Sequence, residues 1–528
     1  MSDSSLPAGR DASQDAARGG QPGAGSLLAE RSGAERPGGD LVRTKIVATV
    51  GPACRGEDQL RGLIESGVDV FRLNMAHGSV PEHQETLDRI RRMSDAVARP
   101  VGVLVDLAGP KIRLGELPGG AVECVEGSLI RFVRGTESAV PDAFVTTYAP
   151  LVDELRVGDP VMLADGTITL VVEASRSDEV DCRVVQGGTV RSRQGVNLPG
   201  VKLSVSAMSA ADWKHAEWAA AAGADFVSLS FVRSPVEVRL LKELLRTRGS
   251  VARVVAKIEK REAVEAMDAI CEAADVVMVA RGDLGVEIDV ATMPMVQKQI
   301  ILAGRRYQKP VIVATQMLDS MQHSRRPTRA EATDVANAIL DGADACMLSG
   351  ETAIGDHPRL AVEMMRRIAG ATESQYLADR MRSLEERQRV PRLAAAIDMT
   401  SPEVLAEGLH PITQAVVDGA SRIAAELGAK LLVVASRTGV TAIARSKRRG
   451  AVPTVGVSDS VATLRQMALY WGVTPLAGTV SADVNKLLAH VTAWGLREGR
   501  LHKGDRIVLV AGVGFGTGGH NMALVQEV

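Results

Sequence analysis

Aromatic side chains are scarce in this chain of 528 residues, at only 3%, and the formal charge at pH 7 is -2. Proteins that bind nucleic acids usually present a basic face or aromatic residues on which bases stack, so the composition argues against that class. Apolar runs long enough to span a membrane are also missing from the sequence. We therefore expect small-molecule partners, with no nucleic acid and no membrane.

Cysteine is equally sparse, and the five residues form no pair at metal-binding or redox spacing. This pattern predicts reduced packing residues in a cytoplasmic protein. Residues 1–40 lack aliphatic periodicity and are rich in Gly, Ala, Ser and Arg, which is typical of a disordered tail. The tail has no apolar core for a secretory signal, and its acidic residues argue against a transit peptide.

From residue 43 onward, short β-branched runs alternate with helical segments, and each run becomes polar at its end. Eight nearly continuous apolar strands separated by helices are the pattern of a closed parallel barrel, whose strands are buried on both faces. We predict an α/β fold with a (β/α)8 TIM barrel built from residues 41–109 and 201–375. The predicted strands are 43–50, 68–75, 100–107, 225–231, 253–259, 275–281, 310–316 and 344–350.

Two further regions interrupt or follow this repeat. Residues 110–200 are β-like and rich in turns, which predicts an inserted β-barrel domain that acts as a lid over the barrel. Residues 376–528 predict a C-terminal α/β regulatory domain with strands at 430–436, 452–458 and 505–512 and helices at 414–427, 462–471 and 483–498. A last strand is expected after the glycines of 512–519.

The turn after the first of these C-terminal strands is a candidate effector site. Ser436, Thr438 and Gly439 precede a helix and can hold a phosphate through amides and hydroxyls. A basic run follows at 445–449, which fits either a phosphorylated effector or a solvated helix end.

Polar residues end the predicted barrel strands, where TIM-barrel active sites form. They are Arg72, Asn74, Asp106, Ser230, Lys257, Glu259, Arg281, Asp283, Thr315, Gln316, Ser349 and Glu351. Any one of them alone fits a satisfied structural residue, but their convergence on one rim favours an active site.

Lys257 and Glu259 alternate along a strand, so both side chains point the same way, and Asp283 arrives from the next unit. Two carboxylates beside an ammonium suit Mg²⁺ or Mn²⁺ together with a substrate phosphate. A buried ion-pair network is the alternative, and the small Gly282 with Arg281 beside it argues against that alternative. The pattern predicts metal-dependent phosphoryl transfer.

Several stretches resemble those of the pyruvate kinase family. The matching segments are 44–47, 51–52, 72–78, 109–113, 195–200, 257–259, 278–287, 315–318 and 326–352. The resemblance implies transfer of a phosphoryl group from phosphoenolpyruvate to ADP, giving ATP and pyruvate in glycolysis. It also implies a homotetramer that is regulated through its C-terminal domain.

By this resemblance the site residues take particular roles. Glu259 and Asp283 hold Mg²⁺, and Lys257 stabilises the transferred phosphoryl group. Phosphoenolpyruvate is placed by Arg72, Gly282 and Thr315 with Ser230 nearby, and Thr315 lies on the route that protonates the enolate. The residues expected on the nucleotide side are Asn74, His77, Arg113 and Asp165.

One departure concerns the monovalent-cation site of many relatives, where Asn74 and Asp106 remain but Lys111 replaces a glutamate. A fixed ammonium at Lys111 supplies the charge that K⁺ otherwise brings, which predicts activity without K⁺. At a second departure, Gln194 stands where many relatives carry a base, and compensation by Arg193 is left open.

Two other functions remain open from the residues alone. A lyase or aldolase that acts on phosphoenolpyruvate or pyruvate can also hold Mg²⁺ on a Glu and an Asp, but it lacks a nucleotide-binding lid. A catalytically silent effector-binding protein is expected to have lost Lys257, Glu259, Asp283 or Thr315, and all four are present.

Overall fold

The computed structural model describes residues 42–164, 166–201, 203–204, 206–389, 409–478, 483–511 and 522–528. The predicted tail at 1–40 and Asp165 lie outside the described residues. In the described ranges, no helix is both long and apolar enough to cross a membrane.

The first part of the barrel contains three strands and two helices. They are β1 (Lys45–Thr49), α1 (Glu57–Ser66), β2 (Val70–Asn74), α2 (Val80–Ala96) and β3 (Gly102–Asp106). Helix α2 begins at a capping box, in which Ser79 and Glu82 satisfy each other's backbone N–H groups, with a proline in its first turn. All residues of β1 and β3 are buried, as expected for barrel strands.

The insertion follows β3 and is built almost entirely from strands. They are β4 (Ala121–Cys124), β5 (Leu129–Val133), β6 (Ala143–Phe144), β7 (Pro160–Leu163), β8 (Ile168–Ser175), β9 (Glu179–Gln186), β10 (Gly188–Arg191) and β11 (Val196–Asn197), with a 3-10 turn at Pro118–Gly120 and the short helix α3 (Leu151–Glu154).

The described strands of the insertion form a six-stranded sheet, β11-β7-β8-β9-β5-β6, and a two-stranded sheet, β10-β4. The predicted lid was expected as a β-barrel, but these sheets stay open. Isolated bridges, Arg113 with Gly195 and Leu114 with Thr146, pair residues of the insertion outside these strands. A hydrophobic core that includes Phe132 and Phe144 fills the space under the larger sheet.

The rest of the barrel runs from helix α4 to α12. The elements are α4 (Ala210–Ala221), β12 (Phe226–Leu229), α5 (Pro235–Thr247), β13 (Arg253–Ile258), α6 (Arg261–Glu265), α7 (Met267–Ala273), β14 (Val276–Ala280), α8 (Arg281–Glu287), α9 (Met293–Arg306), β15 (Val311–Ala314), a 3-10 turn at Asp319–Gln322, α10 (Arg329–Asp341), β16 (Ala345–Leu348), α11 (Gly350–Ala353) and α12 (Pro358–Arg389).

The eight strands close into a parallel barrel in the order β1-β16-β15-β14-β13-β12-β3-β2. The predicted (β/α)8 barrel is therefore confirmed, and each strand begins and ends within two residues of its predicted bounds. All four or five residues of β12, β14, β15 and β16 are buried, because helices cover one face of these strands and the barrel interior the other.

An aspartate just before four of the strands closes the barrel at its N-terminal end. Asp69, Asp225, Asp275 and Asp344 accept a backbone N–H at the start of a neighbouring strand, at 2.7–2.9 Å. The first three also pair with cations of the barrel itself. This recurring turn explains why the sequence repeats an aspartate at each of these helix exits.

The C-terminal domain is a five-stranded sheet with helices. Its elements are α13 (Pro411–Glu426), β17 (Leu431–Ala435), α14 (Val440–Lys447), β18 (Thr454–Ser458), α15 (Val461–Met467), β19 (Val473–Ala477), α16 (Val484–Arg497), β20 (Arg506–Ala511) and β21 (Met522–Glu527). The sheet order is β19-β18-β17-β20-β21, in which only β21 is antiparallel.

Strand β19 was missed from the sequence. Pro475 lies in its middle, and a proline there argues against a strand unless the strand is at the edge of a sheet. Strand β19 is such an edge strand, with β18 on one side only. The predicted helix at 462–471 was also too long, since α15 ends at Met467.

The C-terminal domain covers the N-terminal end of the barrel. Buried Tyr470 and Met467 pack against apolar side chains from the barrel interior, and the Lys45 ammonium donates to the Val473 carbonyl at 2.8 Å. Asp344 differs from the other strand-starting aspartates, because its partners Lys447 (2.5 Å) and Arg449 (3.0 Å) come from this domain.

The basic run at 445–449 is therefore mostly an internal structure. Arg445, Lys447 and Arg449 are each at most 8% exposed, so the expectation of a solvated helix end was wrong. Burial lowers the pKa of Lys447 to about 8, although the neighbouring Asp344 opposes the shift. These charges are used in joining the two domains, which leaves the turn at 436–439 as the remaining effector candidate.

Candidate active site

Asp106, at the end of β3, lies at the centre of the polar network above the barrel. Its Oδ2 accepts a hydrogen bond from Arg72 Nε at 2.7 Å, and its Oδ1 accepts one from the Ser228 hydroxyl. Arg72 also donates to the Thr49 hydroxyl at 3.1 Å. Burial raises the pKa of Asp106, but the charges of Lys257 and Arg72 outweigh it and hold that pKa below the usual value. Asp106 is thus an ionised anchor for Arg72.

Lys257, on β13, connects this anchor to the predicted metal ligand. Its ammonium donates to Ser230 Oγ at 2.8 Å and lies 2.9 Å from Glu259 Oε1 and 3.5 Å from Asp106 Oδ1. Burial lowers the pKa of Lys257, yet the two carboxylates outweigh the burial and raise it. The side chain is a permanent cation at the bottom of the site.

Glu259 is completely buried just after β13. Its Oε2 accepts the Phe231 backbone N–H at 2.6 Å, and its Oε1 is paired with the Lys257 ammonium at 2.9 Å. Burial raises the pKa of Glu259; the charge of Lys257 lowers it and that of Asp283 raises it. An ionised carboxylate has about four acceptor positions, so one ammonium and one backbone N–H leave capacity for a further cation.

A metal ion fits these residues. The charge of Asp283 raises the pKa of Glu259, so the two carboxylates interact electrostatically. Within the described ranges, no group of three or more His, Cys, Asp or Glu side chains is arranged to hold a metal. Mg²⁺ is commonly held by one or two carboxylates while water and substrate phosphate complete its shell, so the carboxylates of Glu259 and Asp283 suit it.

Thr315 and Gly282 form the opposite side of the site. The Gly282 N–H donates to Thr315 Oγ1 at 2.8 Å, and that hydroxyl donates to the Ala314 carbonyl at 2.7 Å. Thr315 and Gln316 have positive φ angles of 69° and 54°, which is a strained backbone of the kind found at ligand sites. A side chain on Gly282 would first meet Thr315 Oγ1, at 3.6 Å.

Arg281 is one of the polar residues at the predicted strand ends, but its side chain makes structural contacts. Its guanidinium donates to the Thr315 carbonyl at 2.7 Å and pairs with Asp334 at 2.6 Å. The side chain therefore supports the strained turn at Thr315 from behind. Glu351 is similarly structural, since it accepts the backbone N–H groups of Leu318 and Ser349.

Lys111 reaches the metal side of the site from the first segment of the insertion. Its ammonium lies 3.7 Å from Asp283 Oδ1, and both side chains are about one-third exposed, at 33% and 28%. This distance is that of an ion pair without a hydrogen bond. The predicted position of a fixed cation beside the carboxylates is consistent with this geometry.

The residues expected on the nucleotide side make local contacts. Asn74 Oδ1 accepts the Ala76 N–H at 3.2 Å, the His77 side chain is exposed, and Arg113 donates to the Arg193 carbonyl at 3.2 Å. Asp165 lies outside the described residues. Arg193 itself pairs with Glu116 at 2.6 Å, so it is engaged on the lid surface.

Sequence reasoning missed Thr49 and Ser228, which hold Arg72 and Asp106 in place. Thr49 is the last residue of β1, and Ser228 lies on β12, two residues before Ser230, which follows the strand. The same rule of polar strand ends, applied to these two strands, would have found both.

The effector candidates lie at the other end of the barrel, at the turn before α14. The Gly439 N–H donates to Ser436 Oγ at 3.0 Å, and the Thr438 carbonyl accepts from Arg253 of the barrel at 3.1 Å. Gly439 has a φ of 79°, which favours glycine. The turn is therefore joined to the base of β13.

Two family models match this chain: "Pyruvate kinase, barrel domain" over residues 41–362 and "Pyruvate kinase, alpha/beta domain" over residues 414–526. The chain belongs to the pyruvate kinase family. The resemblance inferred from the motifs is thus confirmed. It covers the barrel and also the C-terminal domain, which matched only in outline from the sequence.

Individual relatives agree with the family models. The chain is 41% identical over 487 residues to the pyruvate kinase of Mycobacterium tuberculosis, covering 92% of this chain and 98% of the relative. It is 40% identical to that of Corynebacterium glutamicum over 485 residues, covering 92% and 97%. The crystal structure of a pyruvate kinase from Cryptosporidium parvum is similar with a TM-score of 0.82 at 31% identity, covering 92% of this chain and 96% of that one.

Proposed function

We propose that this chain transfers the phosphoryl group of phosphoenolpyruvate to ADP, giving pyruvate and ATP. The observation that carries the proposal is the buried Lys257 cation, whose ammonium lies 2.9 Å from the Glu259 carboxylate and 3.5 Å from that of Asp106. Phosphoryl transfer needs positive charge aimed at the transferred group more than covalent chemistry from the protein, and this arrangement supplies it.

Members of the family use a divalent metal ion, and for this chain we assign Mg²⁺ or Mn²⁺ to Glu259 and Asp283. When bound, the ion supplies charge neutralisation at the phosphoryl oxygens. Lys257 and Arg72 supply further positive charge from the barrel floor. Asp106 holds Arg72 through its ion pair at 2.5 Å, which fixes the guanidinium for a phosphate or carboxylate.

Phosphoenolpyruvate is placed by Arg72, Ser230, Lys257, Gly282 and Thr315. The Thr315 hydroxyl accepts from Gly282 and donates to Ala314, so its proton is engaged in the protein. We infer that Thr315 orients the water from which the enolate carbon takes its proton, because a hydroxyl is too weak a base or acid to do so alone.

ADP is bound on the outer side of this site by Asn74, His77, Arg113 and Asp165. His77 is exposed and Arg113 is half-buried, so both side chains have N–H groups that can donate to nucleotide phosphates. Residues 110–200 act as the lid that excludes water from the reaction.

K⁺ is not required, in this proposal, because Lys111 takes its place near Asn74 and Asp106. Its ammonium is part of the chain itself and lies 3.7 Å from the Asp283 carboxylate. A built-in charge of this kind acts near the substrate phosphate without binding an ion from solution.

The working enzyme is proposed to be a cytoplasmic homotetramer that is regulated by a phosphorylated effector at Ser436, Thr438 and Gly439. In this proposal, residues 41–109 and 201–375 form the catalytic barrel, residues 110–200 form the lid, and residues 376–528 form the regulatory domain. Burial of all five cysteines fits a protein that is active in a reducing compartment.

The test is a coupled assay with phosphoenolpyruvate, ADP and Mg²⁺, in which lactate dehydrogenase reports pyruvate and luciferase reports ATP. Buffers contain either K⁺ or tetramethylammonium at equal ionic strength. We expect both products at equal rates in the two buffers. Formation of pyruvate without ATP would contradict the proposed transfer. A rate that rises strongly with K⁺ would contradict only the role of Lys111 and would leave the proposed transfer intact.

A further inference from the structure

Asn197, in the short lid strand β11, has a buried polar atom without a partner. The residue is 7% exposed, and its Oδ1 accepts no hydrogen bond among the residues that the structure describes. Leaving such an acceptor unsatisfied costs about 1–3 kcal/mol. A cost of this size indicates that the amide oxygen has a partner in the working enzyme.

Lys111 is a candidate donor for this oxygen. Both residues line the same small cavity between the lid and the barrel. The geometry at Gly195 brings them to one point: a Cβ built there would lie 3.2 Å from Lys111 Cε, 3.9 Å from its ammonium and 4.0 Å from Asn197 Oδ1. The ammonium and the amide oxygen therefore both border the space that a side chain on Gly195 would occupy.

Lys111 also has donors to give. An ammonium carries three N–H groups, and within the described ranges this one makes its ion pair with Asp283 at 3.7 Å and no hydrogen bond. A flexible side chain that is held only by an ion pair of this length does not have a fixed position. A charge-assisted hydrogen bond would give it one.

The two segments that carry these residues are bonded to each other at the root of the lid. The Val196 N–H donates to the Ile112 carbonyl at 2.9 Å, and the Leu114 N–H donates to the Gln194 carbonyl at 2.9 Å. Asn197 also pairs with Met162 of β7 in the larger lid sheet. The position of Asn197 is thus set by the lid, and that of Asp283 by the barrel.

We propose that Asn197 is a positioning residue, whose Oδ1 accepts a hydrogen bond from Lys111 and directs the ammonium towards Asp283. It acts through Lys111 and does not touch the substrate. The inference rests on the proposed function, in which Lys111 replaces K⁺. It makes the built-in cation dependent on the lid, so that the charge is in place only when the lid root is correctly folded against the barrel.

The experiment compares Asn197→Ala with Asn197→Asp, which keeps an acceptor oxygen at the same place. Gly195→Ala keeps Asn197 but puts a methyl group against Lys111, and Gly419→Ala in α13 is the matched control, because its Cβ would meet no atom within 4 Å. The readouts are kcat and KM for phosphoenolpyruvate with and without K⁺, binding of phosphoenolpyruvate with Mg²⁺ by calorimetry, and the melting temperature.

We expect Asn197→Ala to raise KM about tenfold, the equivalent of one such hydrogen bond, with a smaller change in kcat. The variant should gain a response to K⁺ that wild type lacks, and calorimetry should show the same weakening. Asn197→Asp should stay near wild type, Gly195→Ala should resemble Asn197→Ala, and Gly419→Ala should change neither. In a Lys111→Met background, Asn197→Ala should add little, because the two act as one unit.

A lower melting temperature for Asn197→Ala with unchanged KM and no response to K⁺ would overturn the inference, as it would reduce Asn197 to a structural residue. Full additivity with Lys111→Met would overturn it as well. Stimulation of the unmodified enzyme by K⁺ would instead refute the role of Lys111. This failure is distinguishable from a failure of the role of Asn197, because it is seen in wild type without any substitution.

Discussion

Replacing Asp106 by Asn tests the network that places the cations of the site. The amide is nearly the same size as the carboxylate, but it has one acceptor oxygen and one NH2 donor where the carboxylate has two acceptors. Arg72 donates to one oxygen and the Ser228 hydroxyl to the other, with Lys257 at 3.5 Å. An NH2 group on the Oδ2 side faces the Arg72 N–H groups, and on the Oδ1 side it faces the Lys257 ammonium, even though the Ser228 hydroxyl can turn to accept from it.

The size of the effect follows from these distances. At 3.5 Å and an effective dielectric constant of 20, the attraction of Lys257 to Asp106 is about 5 kcal/mol before desolvation is counted. A charge-assisted hydrogen bond to Arg72 adds about 1.5–3 kcal/mol. Because the substrate phosphate offsets part of this loss, we expect kcat/KM to fall by about 10²–10³, which corresponds to about 3–4 kcal/mol.

Asp225→Asn is the matched control. Asp225 is also 2% exposed and pairs with an arginine, Arg91, at 2.8 Å, but it lies at the opposite end of the barrel. Both variants should lose stability in urea unfolding, whereas only Asp106→Asn should lose kcat/KM at temperatures where it is folded. Equal losses of activity in the two variants, or an unchanged kcat/KM for Asp106→Asn, would refute the reasoning.

Three further predictions follow from individual contacts. Thr315→Val removes the acceptor of the Gly282 N–H and should lower kcat about 10²-fold in steady-state assays, as loss of one oriented donor or acceptor does in other sites; a kcat within twofold of wild type would contradict it. Burial lowers the pKa of Lys447 to about 8 from 10.5, so between these pH values the unfolded chain holds a proton that the folded chain has lost. The contribution of this group to stability therefore rises with pH. In urea titrations, the difference in the free energy of unfolding between wild type and Lys447→Met should shift by about 2 kcal/mol in favour of wild type from pH 7.5 to 9.5. A difference that stays constant with pH would contradict the prediction. Burial raises the pKa of the thiols of Cys54, Cys124, Cys182, Cys271 and Cys346, so Ellman's reagent should react with none in the native protein and all after denaturation.

Much of the barrel was predictable because its strands obey a local rule. A parallel barrel strand is apolar throughout and polar at its end, and this pattern is visible in a single sequence at β13, where Lys257 and Glu259 follow the apolar run. The same rule predicted that Arg72, Asp106 and Ser230 lie together at the C-terminal rim of the barrel. Contacts between these side chains, such as the anchoring of Arg72 by Asp106, depend on strands that are distant in the sequence and had to be observed.

The features that could not be predicted depend on tertiary contacts that override local signals. The basic residues Lys447 and Arg449 have the composition of a solvated helix end, yet the buried Asp344 in the barrel draws them into the interface. Strand β19 was missed for a similar reason. Pro475 argues against a strand, and only the sheet order shows that β19 is an edge strand, where a proline is tolerated. In both places the deciding residue lies in another element.

The proposed chemistry is tested most directly by following phosphoenolpyruvate and ADP with Mg²⁺ by ³¹P NMR, in wild type and in Lys257→Met. Lys309→Met serves as control, because Lys309 is also a buried lysine, 8% exposed, but donates to the Glu272 carbonyl outside the site. The proposal predicts that wild type and Lys309→Met convert the phosphoenolpyruvate signal into the γ-phosphate of ATP without inorganic phosphate. Lys257→Met should be slower by a factor of about 10³ or more. Release of inorganic phosphate in place of ATP, or full transfer by Lys257→Met, would contradict it.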